Sequence, residues 1–131
     1  MRGMSLLLVA ATLAGCSTAP EQRSISAENQ LRRALEGKVA QRPVDCLPSF
    51  PTAAMTVIDD RTILFREGRT VYRNDLNGGT CSGLGFGNTL LTKQHGRMCR
   101  GDFAQVVNLS TGTTVGSCVI GEFVPYSAPR G

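Results

Sequence analysis

Four cysteines, Cys46, Cys81, Cys99 and Cys118, are spread through the last two thirds of the chain. They constrain the fold more than any other feature, because little else is available to hold it. Aromatics make up 5% of the residues and tryptophan is absent. A small domain with few large side chains is hard to stabilise by burial alone. Whether the cysteines pair depends on the compartment. The chain begins with the positive Met1-Arg2 and continues with a nearly unbroken apolar run over residues 4–14. That run is too short for a membrane-crossing helix, which needs about 20 residues. A charged start, a short apolar core and small residues before a cut make a secretory signal. In an exported chain an even set of cysteines reads as two disulfides.

The signal ends in Leu13-Ala14-Gly15-Cys16. This tetrad resembles the lipobox of bacterial lipoproteins. The resemblance implies cleavage before Cys16, diacylation of its thiol and acylation of the new amine, palmitate included. Acyl chains bind membrane at about 0.8 kcal/mol per buried methylene, and stable anchoring takes more than one chain. Ser17 follows where, in lipoproteins of this type, an aspartate favours inner-membrane retention. The expected location is therefore the cell envelope, with the protein lipid-anchored on the outer membrane and facing the periplasm.

Removing residues 1–15 leaves 116, enough for one domain. It also removes Arg2, leaving thirteen basic residues against ten acidic. This mild positive balance suits an envelope protein partner or an anionic envelope component such as lipid A phosphates, anionic lipid or acidic glycan. Basic residues are not interleaved with stacking aromatics, so nucleic acid is not an expected partner.

Residues 16–25 are polar, with Pro20, and read as a tether. Residues 26–41 read as a short amphipathic helix. Ser26 is a candidate N-cap, and Leu31, Leu35 and Val39 recur at helical spacing with Ala27 on the same side. The stripe is expected to pack on the domain, with Arg32, Arg33 and Lys38 facing away from it. Residues 42–124 then form the disulfide-stapled domain. Pro43, Pro48 and Pro51 make a lead-in loop around Cys46. Met55–Ile58, Arg61–Phe65 and Thr70–Arg73 read as a meander of strands turned at Asp59-Asp60 and Glu67-Gly68. A two-residue loop at the second turn places Leu64 opposite Val71, and a three-residue loop places Ile63 there.

Residues 74–88 hold five glycines around Cys81. Neither the dinucleotide-binding nor the P-loop glycine pattern is met, so the stretch reads as a long turn. Thr89–Gln94 and Arg97–Cys99 read as strands joined by a hairpin at His95-Gly96. Phe103–Leu109 follows, and the last strand, Thr113–Phe123, is broken by Gly116 and Gly121. Residues 125–131, with Pro125 and Pro129, read as a loose tail. The fold class is mainly β: a small antiparallel barrel or sandwich of six to seven short strands, after a signal peptide and a short helix. The bends at Gly116 and Gly121 favour the barrel.

Four cysteines allow three pairings. Cys81–Cys99 with Cys46–Cys118 is the expected one, since it would pin the glycine-rich loop to its hairpin and join the segment before the first strand to the last strand. The rival is Cys46–Cys81 with Cys99–Cys118.

The chemistry-bearing residues are few. His95 is the single histidine and sits where a turn is expected. With the cysteines oxidised it has too few companions for a metal site. His95 to Arg100 resembles the active-site signature of L,D-transpeptidases, but the spacing fails and Gln94 stands where a serine is required. Arg100-Gly101-Asp102 spells an integrin-binding tripeptide and reads structurally as a turn. Asp59 and Asp60 are adjacent in a turn, poor geometry for paired acid–base work. No catalytic residue, metal or cofactor is therefore assigned.

Further pieces carry a wider resemblance. They are Cys46-Leu47, Val57-Ile58-Asp59, Ile63-Leu64-Phe65, Tyr72 to Leu76, Cys81 to Leu84, Met98 to Asp102 and Cys118 to Phe123. From about Asp45 to Phe123 the chain resembles an uncharacterised family of small exported bacterial proteins. The resemblance implies the four-cysteine β domain and brings no catalytic residues with it. The functional expectation is a non-enzymatic envelope lipoprotein, a binding or structural module. The alternatives are a small inhibitor of lysozyme-type hydrolases, or an envelope hydrolase built on His95, Asp102 and Asp59.

Overall fold

The apolar residues of Thr62–Glu67 decide the layering. Ile63 and Phe65 are buried on one side of this strand and Leu64 on the other, so the sheet that holds it is covered on both faces. The computed structural model describes residues 15, 22–48, 53–77, 81–92 and 96–130. Its elements are α1 (Ile25–Leu35), β1 (Val39–Ala40), β2 (Cys46–Leu47), β3 (Ala54–Val57), β4 (Thr62–Glu67) and β5 (Thr70–Asp75), followed by β6 (Asn88–Thr92), β7 (Met98–Cys99), β8 (Phe103–Asn108), β9 (Thr114–Val119) and β10 (Phe123–Ser127).

The chain is mainly β, and every strand pair is antiparallel. One sheet runs β1-β10-β5-β4-β3, a second runs β6-β8-β9, and β2 and β7 form a separate ladder. The inner face of the first sheet supplies Ile63, Phe65 and Phe123 to the core. The second sheet supplies Ala104, Val106 and Cys118, and Leu47 and Met98 close the side. Phe65 and Phe123 meet edge to face, with ring centroids 5.8 Å apart. On the outer face of the first sheet, Ala27 and Leu31 of α1 pack on Ile58, Leu64 and Val71. The helical stripe packs on the domain as its spacing predicts.

The arrangement is a sandwich, not the closed barrel that the glycine bends favour, and among the described residues it has ten short strands where six to seven are expected. The bend at Gly121 carries the chain out of one sheet, at the end of β9, and into the other, at the start of β10. The corner is tight. A Cβ on Gly121 would lie 2.0 Å from the Asp75 carbonyl oxygen. The buried Asn74 side chain fixes it, its Nδ2 donating to the Gly121 carbonyl at 2.8 Å and its Oδ1 accepting from the Gly121 amide at 3.0 Å. Gly116 coincides with a register shift against β8.

Four local expectations are corrected. The helix spans Ile25–Leu35, capped by Ser24, whose hydroxyl accepts from the Ala27 amide at 3.2 Å. Val39 belongs to β1 instead of the helix. The β4–β5 turn has two residues but β4 runs on to Glu67, so Val71 faces Arg66 and Leu64 faces Arg73. Arg97–Cys99 does not return along the preceding strand, since β7 pairs with β2 and β6 pairs with β8. His95, placed by sequence at that hairpin, lies outside the described residues.

The fourth correction concerns the C-terminus. Residues 125–127 are not a loose tail; they complete β10, which lies inside the five-stranded sheet between β1 and β5. Pro125 is tolerated there because of its orientation. Its carbonyl accepts from the Gln41 amide at 2.8 Å, so its missing N–H faces the same side, between β1 and the bridge of Val44 to Phe123.

Candidate functional site

The disulfides frame the loops and differ from both pairings weighed from sequence. Cys46 bonds Cys99, and Cys81 bonds Cys118. Cys46 and Cys99 are direct cross-strand partners in the β2–β7 ladder, a pairing that a lead-in loop around Cys46 does not suggest. Cys81 is fully buried, donates its amide to the Asp60 carbonyl at 2.7 Å, and faces β9 across the core. All four cysteines are therefore in disulfides, while Cys16 lies outside the described residues.

The second disulfide anchors the glycine-rich turn at the mouth of a groove of about 550 Å³. Three segments build the groove: the start of α1 with the residues before it, the β3–β4 turn, and the Leu84–Phe86 segment. Ala27, Ile58 and Leu84, all buried, form an apolar floor. Gln22, Gln30, Asp60 and Arg61 supply polar groups along the walls. Phe86 stands at the rim, 85% exposed. Gly85 and Gly87 flank it with φ of +96° and +72°, a region that glycine enters without steric penalty. The turn thus sends Leu84 inward and Phe86 outward.

Asp59 locks the groove's back wall. Its Oδ1 accepts from the amides of Arg61 and Thr62, both at 2.9 Å, which is an Asx turn. Its Oδ2 accepts from Arg23 Nε at 2.7 Å. Arg23 also donates to the Thr62 hydroxyl and lies 3.7 Å from a Glu28 carboxylate oxygen. Thr62 in turn donates to Asp75 Oδ1 at 2.7 Å, and Arg73 holds both oxygens of that carboxylate. Burial pushes the Asp59 carboxyl up, but the Arg23 hydrogen bond, the two amides and the Arg23 charge outweigh it and hold its pKa below the ordinary value.

Such a carboxylate stays ionised at neutral pH and is held by three donors, which makes it a weak proton acceptor. Of the hydrolase candidates, Asp59 lines the groove, Asp102 does not, and His95 lies outside the described residues. Asp102 lies outside the groove lining and caps a turn, its Oδ2 accepting from the Cys99 amide at 2.6 Å. This confirms Arg100-Gly101-Asp102 as a turn. Among the described residues, no group of three or more His, Cys, Asp or Glu is placed to hold a metal ion, and no helix is long and apolar enough to cross a membrane.

Sequence reasoning missed Arg23, because residues 16–25 read as tether. Ser24 was the available signal. As N-cap it places Ala27 at the third helical position and Glu28 in the first turn, as well as Ser26 would serve a later start.

A family of unknown function (DUF6491) matches residues 1–128. The chain belongs to this family. No curated protein and no solved structure matches it. The family match runs well beyond the Asp45–Phe123 stretch on which the sequence resemblance rests, and takes in the first 44 residues, α1 among them.

Proposed function

We propose that this member of the family is a lipid-anchored protein of the bacterial cell envelope whose β domain is a non-enzymatic binding module. The observation that carries the reading is Leu13-Ala14-Gly15-Cys16 at the end of a short charged-then-apolar leader. Two disulfides support it, because such bonds persist in oxidising compartments. Asp59, its pKa lowered and its carboxylate held by three donors, favours a binding role over an acid–base one. The anchor also sets the geometry. Cys16 stands nine residues before Ile25, a reach of roughly 30 Å at most, so the start of α1 and its groove stay near the membrane.

Detergent-phase partitioning with labelling by a palmitate analogue tests the anchor. The wild-type protein is expected to enter the detergent phase and take up label, and Cys16→Ala to do neither. A Cys16→Ala protein that still partitions with detergent overturns the proposal.

A further inference from the structure

The groove beside Asp59 combines features that ordinary packing does not require. Its floor is apolar, its walls carry carboxylate, guanidinium and carboxamide groups, and an aromatic ring stands at its rim almost wholly in solvent. The rim is held in place. Leu84 is 1% exposed, its amide donates to the Cys81 carbonyl at 3.0 Å, and Cys81 is bonded to β9. A ring presented this way loses little freedom on meeting a ligand.

The charges narrow the ligand class. Asp60 and Arg61 lie 3.9 Å apart as an ion pair and Arg23 pairs with Asp59, so the charges along the groove balance and offer a strongly charged ligand no net attraction. What remains is a neutral molecule with an apolar face and polar edges. Sugar rings have this form. Their axial C–H groups present an apolar face to the negative face of an aromatic ring. Their hydroxyls both donate and accept, which matches carboxamide and carboxylate partners. The volume lies within the usual range of small-ligand sites, where a few polar groups fix orientation over an apolar surface.

We infer that the groove binds a neutral oligosaccharide, with Phe86 stacked on one sugar ring and Gln22, Gln30 and Asp60 bonded to its hydroxyls. The inference names the ligand class of the binding module proposed above and rests on that reading for its probe, a β-1,4-linked N-acetylglucosamine trisaccharide.

The test is calorimetric titration of the purified full chain in detergent micelles. Wild type is expected to bind the trisaccharide saturably. Phe86→Ala should weaken binding at least tenfold, and Phe86→Tyr should restore it to within about threefold, as stacking requires an aromatic ring. The melting temperature of Phe86→Ala should match wild type, because the side chain is exposed. Phe103→Ala, exposed on the other sheet, should bind as wild type. No saturable binding, or Phe86→Ala binding with wild-type affinity, overturns the inference. So does preferential binding of inorganic phosphate or of a blocked tripeptide. Because the titration uses purified protein, a silent groove in a protein that partitions through Cys16 overturns the saccharide site and leaves the anchor standing.

Discussion

Asn74 grips Gly121 by both backbone groups, in the buried corner where the chain passes from one sheet to the other. The two residues are 47 positions apart in sequence. Neither can change without cost. Gly121→Ala puts a methyl into the Asp75 carbonyl and forces the corner open. We expect a loss of at least about 3 kcal/mol. Asn74→Ala strands a buried donor and a buried acceptor, for a loss of about 2 to 4 kcal/mol. The pair should be non-additive, since both break the same corner. Urea denaturation of the two single variants and the double variant measures this. A Gly121→Ala protein as stable as wild type would refute the close approach.

What the sequence disclosed follows contact range. The β3–β5 meander was legible because its strands are adjacent, its turns short and its residues β-rich. The packed stripe of α1 was legible because Ala27 and Leu31 fall on one helical face. The β2–β7 ladder was not, since each strand has two residues and the partners lie 53 positions apart. β10 was obscured by Pro125, which lacks a donor and so reads as a stop. Only the placement of β1 shows that no donor is needed there. The groove has the same history. Arg23, Asp59 and Phe86 belong to three segments that read separately as tether, turn and glycine-rich loop.

The disulfides interlock, since Cys81 lies inside the span closed by Cys46 and Cys99 and Cys118 lies outside it. Chain-entropy reasoning assigns each about 4 kcal/mol for spans of 53 and 37 residues. Their functional consequences should differ. Cys81–Cys118 holds the base of the Phe86 turn, whereas Cys46–Cys99 fixes a ladder at the side of the core. Cys81→Ala with Cys118→Ala is expected to lose about 2 to 4 kcal/mol and to loosen that turn. Hydrogen exchange at residues 82–87 reads the loosening, and should change far less in Cys46→Ala with Cys99→Ala. Non-reducing proteolysis with mass spectrometry checks the pairing itself. A peptide joining Cys81 to Cys99 would contradict it.

The Arg23–Asp59 pair should give stability a defined acid dependence. The Asp59 pKa is lowered in the folded protein, so the native state binds its proton more weakly than the unfolded chain does. The resulting stabilisation is fully present above the unfolded carboxyl value of about 4 and is lost as pH falls through the lower folded value. Asp59→Asn keeps a side-chain oxygen for the Arg61 and Thr62 amides but removes the charge facing Arg23. At pH 7 this variant should be less stable by on the order of 1 to 2 kcal/mol, the range of a partly buried, charge-assisted hydrogen bond. As pH falls through the lowered folded value the two proteins should converge, because wild type then loses the same charge. Arg23→Met removes the other partner and should also flatten the acid limb. Thermal melts of the three proteins from pH 2 to pH 8 make the comparison. An Asp59→Asn deficit that persists undiminished at pH 2 would show that the carboxylate charge contributes nothing to holding α1 against the β3–β4 turn.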